Sequence, residues 1–303
     1  MYPRLSDITL DLFGFALPIP IYSFGAMVAA SFLVAGWLIG KEFDRLYTAG
    51  SLPAVKVKDA KTKRMVPASP ALIVGTMVTV AIATGFLGAK LFHILENSGA
   101  FFRDPMGMIF SSGGFTFLGG LIVGTYGVLR YTRTKGLDSW RVADAVAPAL
   151  LVGYAIGRIG CHLAGDGDWG ITADLAARPD WLPLFLWAET YPNNILGIDL
   201  SQAPVYPTPL YETTLSLILA AVLWRMRVHP HKAGWLFGWY LTFAGAERLV
   251  IEQIRVNTTM SVFGLEITQA MVISTVMIGL GAYVIRLRRQ DAPDTEATTA
   301  EAA

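Results

Sequence analysis

Seven stretches of this chain are apolar over about the length a helix needs to cross the hydrocarbon of a bilayer: Tyr22–Gly40, Pro70–Leu91, Phe115–Tyr131, Val142–Gly160, Thr208–Trp224, Gly234–Ile254 and Leu265–Ile285. In hydrocarbon every backbone N–H and C=O must find its partner within the protein, which leaves only helices or a closed barrel. The sustained period-2 alternation of a barrel is absent. The expectation is an all-α integral membrane protein of seven transmembrane helices. Charged residues make up 16% of the chain and mean hydropathy is +0.48, against about 25% charged in soluble domains. A net charge of +1 gives no footprint for nucleic acid. The single cysteine, Cys161, excludes an internal disulfide framework. Met1–Pro20 has no basic segment leading into an apolar core, so no cleavable signal peptide is expected.

Basic residues alternate between rich and poor connectors. The first connector holds Lys41, Arg45, Lys56, Lys58, Lys61, Lys63 and Arg64, the third Arg130, Arg133, Lys135 and Arg141, and the fifth Arg225, Arg227 and Lys232; Arg286, Arg288 and Arg289 follow the last span. The second, fourth and sixth hold only Arg103, Arg178 and Arg255. The positive-inside rule then puts the N-terminus outside and the C-terminus in the cytoplasm, which requires an odd number of spans. The segment Lys56–Arg64 reads either as this orientation signal or as a patch for anionic lipid. The expected organisation is a single seven-helix membrane domain over 1–287, a periplasmic insertion at 171–207 rich in proline and aromatic residues that would serve as an arm or lid, and a disordered cytoplasmic tail at 288–303. No internal repeat is evident, which disfavours inverted-repeat transporters.

Orientation turns positions into depth. Arg158 ends the fourth span; Tyr211 and Glu212 begin the fifth; Glu247, Arg248, Glu252 and Arg255 lie in the outer part of the sixth. Gly113, Gly114, Thr116, Gly119 and Gly120 open the third span from the same side, and Tyr22 opens the first. Asp144 is the main polar residue of the inner half, and His93 is expected at the inner end of the second span. Arg248, Glu252 and Arg255 share a helix face by their spacing; they could form a self-neutralising ladder. Arg158 has no acid one turn away on its own helix. Two guanidinium groups at one depth suit a phosphate, which arginine grips with two parallel bonds while staying charged. Gly165, Gly167 and Gly170 point to a tight turn near a ligand; Asp166 and Asp168 read as turn formers, cation ligands or acid–base groups. The spacing of His162, Asp166 and Asp168 matches no defined metal motif, so no metal is expected. Cys161 reads as a small buried side chain or a nucleophile. An anionic-solute transporter is the rival these features leave open.

The run Gly157-Arg158-Ile159-Gly160-Cys161-His162 through Gly170, preceded by Asp144-Ala145-Val146-Ala147-Pro148, resembles the signature of the prolipoprotein diacylglyceryl transferases. Gly113–Gly120, Pro207–Glu212, Glu247–Arg255 and Thr268-Gln269 carry the likeness over nearly the whole chain. The chain departs from the family at Cys161-His162, where an Asn-Phe pair is usual, at one extra residue before Trp169, at Leu118, where a histidine is common, and at Phe24, where a tyrosine is common. The resemblance implies an enzyme of the bacterial inner membrane, with its active site toward the periplasm, that moves the diacylglyceryl group of phosphatidylglycerol to the lipobox cysteine of prolipoproteins and releases glycerol phosphate. It implies no cofactor, membrane lipids as surroundings and a monomer. On this basis Arg158, Arg248, Glu252, His162 and Asp166 are the candidate catalytic residues. Tyr22, Thr116, Gly119, Gly120, Asp144, Cys161, Gly170, Tyr211, Glu212 and Arg255 are the candidate substrate-binding residues. The departures keep open a paralogous lipid-modifying enzyme acting on another acceptor.

Overall fold

The computed structural model describes residues 1–289 except 17, 19, 20, 60, 61, 112, 263 and 264, and leaves out the side chains of 262 and 265. Ten α-helices and four strands follow one another among the described residues. They are α1 (Leu5–Phe13), α2 (Ser23–Thr48), β1 (Val55–Lys58), β2 (Met65–Ala68), α3 (Val74–Glu96), α4 (Ser98–Phe101), α5 (Pro105–Phe110), α6 (Phe117–Thr134), α7 (Ser139–Ala164), α8 (Thr208–Met226), α9 (Trp235–Glu252), β3 (Thr259–Val262), β4 (Leu265–Thr268) and α10 (Gln269–Arg288). Each of the seven apolar stretches forms a helix. Those in α2, in Pro70–Glu96, in α7 and in α10 are long and apolar enough to cross a membrane. The chain is a helical multi-pass membrane protein.

Three differences from the sequence reading have local causes. Two antiparallel hairpins, β1–β2 and β3–β4, interrupt the all-α expectation; four-residue strands are too short to show a period. The helix of the seventh apolar stretch begins at Gln269, because Leu265–Thr268 pairs with Thr259–Val262 instead. Thr268 then caps α10, its Oγ1 accepting from Met271 N at 3.2 Å. Of the expected tail, Arg288 is the last residue of α10, and 290–303 lies outside the described residues.

The chain forms two compact units, one of Met1–Ser31 with Leu150 onward, the other of Phe32–Ala149. In the second unit Ile39, Phe43, Val55, Val74, Met77, Leu137 and Val142 make a core beneath β1. Helices α3 and α6 meet through glycine: a Cβ on Gly88 would strike the Gly119 carbonyl, and one on Gly119 would strike the Gly88 carbonyl and Phe92. Close backbone approach through small residues is how helices gain contact in lipid, where apolar burial gives no advantage. His93 does not stand apart from the opening of α6 as expected. Its ring packs on Gly114, whose φ of +73° suits glycine. Lys90 Nζ ties down the same loop, donating to Ser111 O at 3.0 Å and Gly113 O at 2.9 Å, and Thr116 Oγ1 donates to Glu96 at 2.7 Å.

In the first unit α9 and α10 repeat the glycine device at Gly238, Gly245 and Gly281. The insertion 171–207 is an ordered lobe. Val205 exchanges backbone bonds with Glu189 at 2.9 and 3.0 Å, and Trp169, Tyr191 and Val205 form a small core with Met1 and Leu200 packed on it.

Candidate active site

The charged residues of the first unit converge because the chain reverses sharply after α7. Gly165, at φ +59°, ends the helix with its N–H on Cys161 O at 2.9 Å. Asp166 Oδ1 then accepts from Asp168 N at 3.3 Å, and Gly167 sits at φ +96°, a side-chain-closed turn of the kind aspartate favours. The reversal returns Asp168 to Arg158, ten positions earlier in the chain. Thr208, at the start of α8, fixes it there by donating to the Asp168 carbonyl at 2.6 Å.

Glu212 on α8 is the centre of the group. Arg158 Nη2 from α7 pairs with its Oε2. Arg248 Nη1 from α9 and Arg255 Nη1, three residues beyond the end of α9, each lie 3.3 Å from its Oε1. Tyr154, one turn before Arg158, donates its hydroxyl to the same oxygen at 3.1 Å and presents its ring to the Arg158 guanidinium. Arg158 and Arg255 also grip Asp168, one on each carboxylate oxygen. Arg248 reaches Glu252, one turn on, at 2.7 Å. Glu252 is fixed further by Asn257 at 2.9 Å and by Thr268 at 2.5 Å.

Three guanidinium groups thus face three carboxylates, and burial makes the balance matter. Arg158 is 7% exposed, Glu212 1% and Glu252 5%. Leaving one such charge unpaired costs about 3–5 kcal/mol. Asp168 differs, with its side chain 29% exposed. Arg158 also keeps a spare donor: its Nε is buried with no hydrogen-bond partner among the described residues.

Arg158, Arg248, Glu252, Glu212 and Arg255 come together as the sequence anticipated, with two changes. Arg158 has two carboxylates after all, supplied by other elements. Arg255 leaves the expected ladder because α9 stops at Glu252, so its side chain turns to Asp168 and Glu212. Cys161 is buried with Sγ 3.5 Å from Arg158 Nη1. Cys161, Asp166 and Asp168 each place one ligand atom within 4.8 Å of the others; Arg158 lies on Cys161 Sγ and, together with Arg255, on the Asp168 carboxylate.

The other candidates stand around this core. His162 turns to the 171–207 lobe, its Nδ1 3.2 Å from the Tyr191 hydroxyl, whose pKa burial and then Glu189 push well above the ordinary phenol value; Tyr191 therefore stays a neutral partner. Tyr211 donates to Leu186 O at 2.7 Å and fastens the lobe to α8. Gly170 lies against the Ile254 carbonyl with its N–H on Tyr206 O at 2.8 Å, so its lack of a side chain serves packing. Tyr22 is 49% exposed and, with Met1, Arg4, Asp11 and Asn193, lines an open cavity of about 820 Å³. Thr116, Gly119, Gly120 and Asp144 belong to the second unit; Asp144 is buried there, and the glycines are explained by the α3–α6 contact.

Sequence reasoning missed two members. Asp168 stands among turn formers, cation ligands and acid–base groups with no arginine partner expected, and Tyr154 is not singled out. Tyr154 had a signal, since four residues before Arg158 is the same helix face. Asp168 had none beyond its place after two glycines.

The pattern that defines the prolipoprotein diacylglyceryl transferase family matches residues 12–287. Proteins named phosphatidylglycerol–prolipoprotein diacylglyceryl transferase are similar over most of the chain. That of Clostridium tetani is 27% identical over 288 residues, 94% of this chain and 100% of its own. That of Corynebacterium diphtheriae is 29% identical over 273 residues, 84% of this chain and 92% of its own. That of Streptococcus pneumoniae is 28% identical over 242 residues, 78% and 85%. With the match running from before α2 almost to the end of α10, the chain belongs to the prolipoprotein diacylglyceryl transferase family.

Proposed function

We propose that this enzyme transfers the diacylglyceryl group of phosphatidylglycerol to the thiol of a lipobox cysteine, and that the arginine cluster receives the phosphate. The observation that carries this reading is Asp168, an anion held between Arg158 and Arg255 and the most exposed carboxylate of the group. It occupies the place a phosphate would take. An incoming headgroup displaces Asp168, gains both guanidinium groups, and meets the spare Arg158 Nε. Arg248, tied to Glu212 and Glu252, holds the frame.

The chemistry follows. The thiol sulfur attacks the glyceryl carbon, a C–S bond forms, and the C–O bond breaks with its electron pair passing to the phosphate oxygen. Negative charge grows on the leaving glycerol phosphate, where preorganised cations lower the barrier. The thiol proton passes to the Asp168 carboxylate, which displacement has left without its cations, and later to water. Asp166 holds the turn, His162 the lobe, and Cys161 is a neighbour of Arg158 rather than a nucleophile. No cofactor enters, since lipid and thiol supply every atom.

The same reading puts all seven long helices across the bacterial inner membrane. The N-terminus lies outside, the C-terminus is cytoplasmic, and the cluster and the 171–207 lobe face the periplasm, with the lobe as a lid over the lipid entrance. The protein works as a monomer. Its test is to incubate the purified chain in detergent with phosphatidylglycerol and a lipobox peptide. The peptide is expected to gain the mass of a diacylglyceryl group while glycerol phosphate appears. Lipid modification of a serine-substituted peptide instead would favour the paralogous reading.

A further inference from the structure

Val55–Lys58 and Met65–Ala68 are more orderly than an orientation signal requires. The two strands pair in register from Val55 with Ala68 to Lys58 with Met65. The turn is closed by Asp59 N on Arg64 O at 2.9 Å and Lys63 N on Asp59 O at 3.0 Å. The period-2 pleat sorts the residues. Val55 is 1% exposed and joins the core of the second unit, whereas Lys56 and Lys58 stand on the open face. Lys63 and Arg64 at the turn are exposed too, and beside them Met65 is 58% and Val66 37% exposed. None of Lys56, Lys58, Lys63 and Arg64 has a side-chain ion pair or hydrogen bond among the described residues.

The hairpin is also fixed in place. It follows α2 and precedes the helical stretch Pro70–Glu96, both long and apolar enough to cross a membrane. It therefore emerges at a membrane surface, and its core-facing valines keep it from swinging free.

We propose that the open face of this hairpin docks on the anionic phospholipid surface of the membrane that holds α2 and α3, with Lys56, Lys58, Lys63 and Arg64 at the headgroups and Met65, the register partner of Lys58, at their edge. Charge complementarity selects this occupant: four unpaired cations with an exposed methionine beside them suit a sheet of anionic headgroups. Each such residue is worth roughly a fivefold gain in local attraction near an anionic leaflet. The proposal does not depend on the transfer chemistry.

The test uses the full chain in nanodiscs, with Met65→Cys carrying an environment-sensitive fluorophore and the unsubstituted protein, whose Cys161 is buried, as the labelling control. Phosphatidylcholine discs are compared with discs of phosphatidylcholine mixed with phosphatidylserine, so that headgroup charge is varied without the proposed substrate. The emission is expected to move to the blue in the anionic discs alone. It is expected to return at about 1 M salt, where screening acts within about 3 Å, and to stay unshifted when Lys56, Lys58, Lys63 and Arg64 are all replaced by Gln. Equal emission in both kinds of disc would overturn the proposal, as would a shift that survives high salt. The salt arm needs no charge-removing substitutions and decides the matter even if the fourfold variant misfolds.

Discussion

Helices α8 and α9 are joined by charge, helices α3 and α6 by the lack of side chains. In the first pair Glu212 faces Arg248, and Ser216 donates to Glu247 at 2.6 Å. In the second, Gly88 and Gly119 bring two backbones together. Under the proposed seven-span reading both are answers to lipid, where apolar contact alone does not hold helices. They differ in what they can become. Glycine packing has one good arrangement and no spare valence. A charged cluster can exchange one anion for another of similar shape, and so can hold a fold and bind a substrate with the same atoms.

The comparison is sharpened first at Glu212. Replacement by Ala leaves three guanidinium groups without their shared acceptor. Lipid transfer is expected to fall by on the order of a thousandfold, with a lower unfolding midpoint; Gln should recover more of the midpoint than of the rate. An Ala variant with both intact would break the idea of a central carboxylate. Next comes Gly88→Val, which overpacks the α3–α6 contact at a cost of about 1–3 kcal/mol. Folded yield and thermal midpoint should drop, while the folded fraction keeps its specific activity; the reverse pattern would move chemistry to the glycine contact. A smaller effect is expected for Tyr154→Phe, which keeps the ring over Arg158 and removes one hydrogen bond, about 0.5–1.5 kcal/mol. Its transfer rate should fall by about two- to thirteenfold, the rate equivalent of that energy. Smallest is Cys161→Ser, which should leave turnover nearly unchanged; abolished transfer would make the thiol a participant.

How much of this was legible in the sequence depends on how far each interaction reaches along the chain. The helices were, because hydropathy is summed over many neighbouring residues. The β1–β2 hairpin was not: Val-Lys-Val-Lys is short, and its lysines were already accounted for by the orientation rule. Arg158 and Arg248 were found because arginine in an apolar run is costly wherever it points. The pairing of Asp168 with Arg158 and Arg255 was not, because only the turn at Gly165–Gly167 brings Asp168 back to Arg158, and Arg255 lies 87 positions away along the chain. His93 at the inner end of the second span was at odds with the orientation rule itself: a span that leaves toward the outside carries its last residues to the opening of the third, where the His93 ring meets Gly114.

The central claim, that guanidinium groups at the end of α7 stabilise a departing phosphate, is tested most directly by the turnover of Arg158→Lys in detergent with phosphatidylglycerol and a lipobox peptide, beside a thermal melt of the same sample. Lysine keeps the charge and loses the paired bonds. The rate is expected to fall on the order of a hundredfold or more in a protein that still melts cooperatively. A folded Arg158→Lys enzyme turning over at the unsubstituted rate would contradict it.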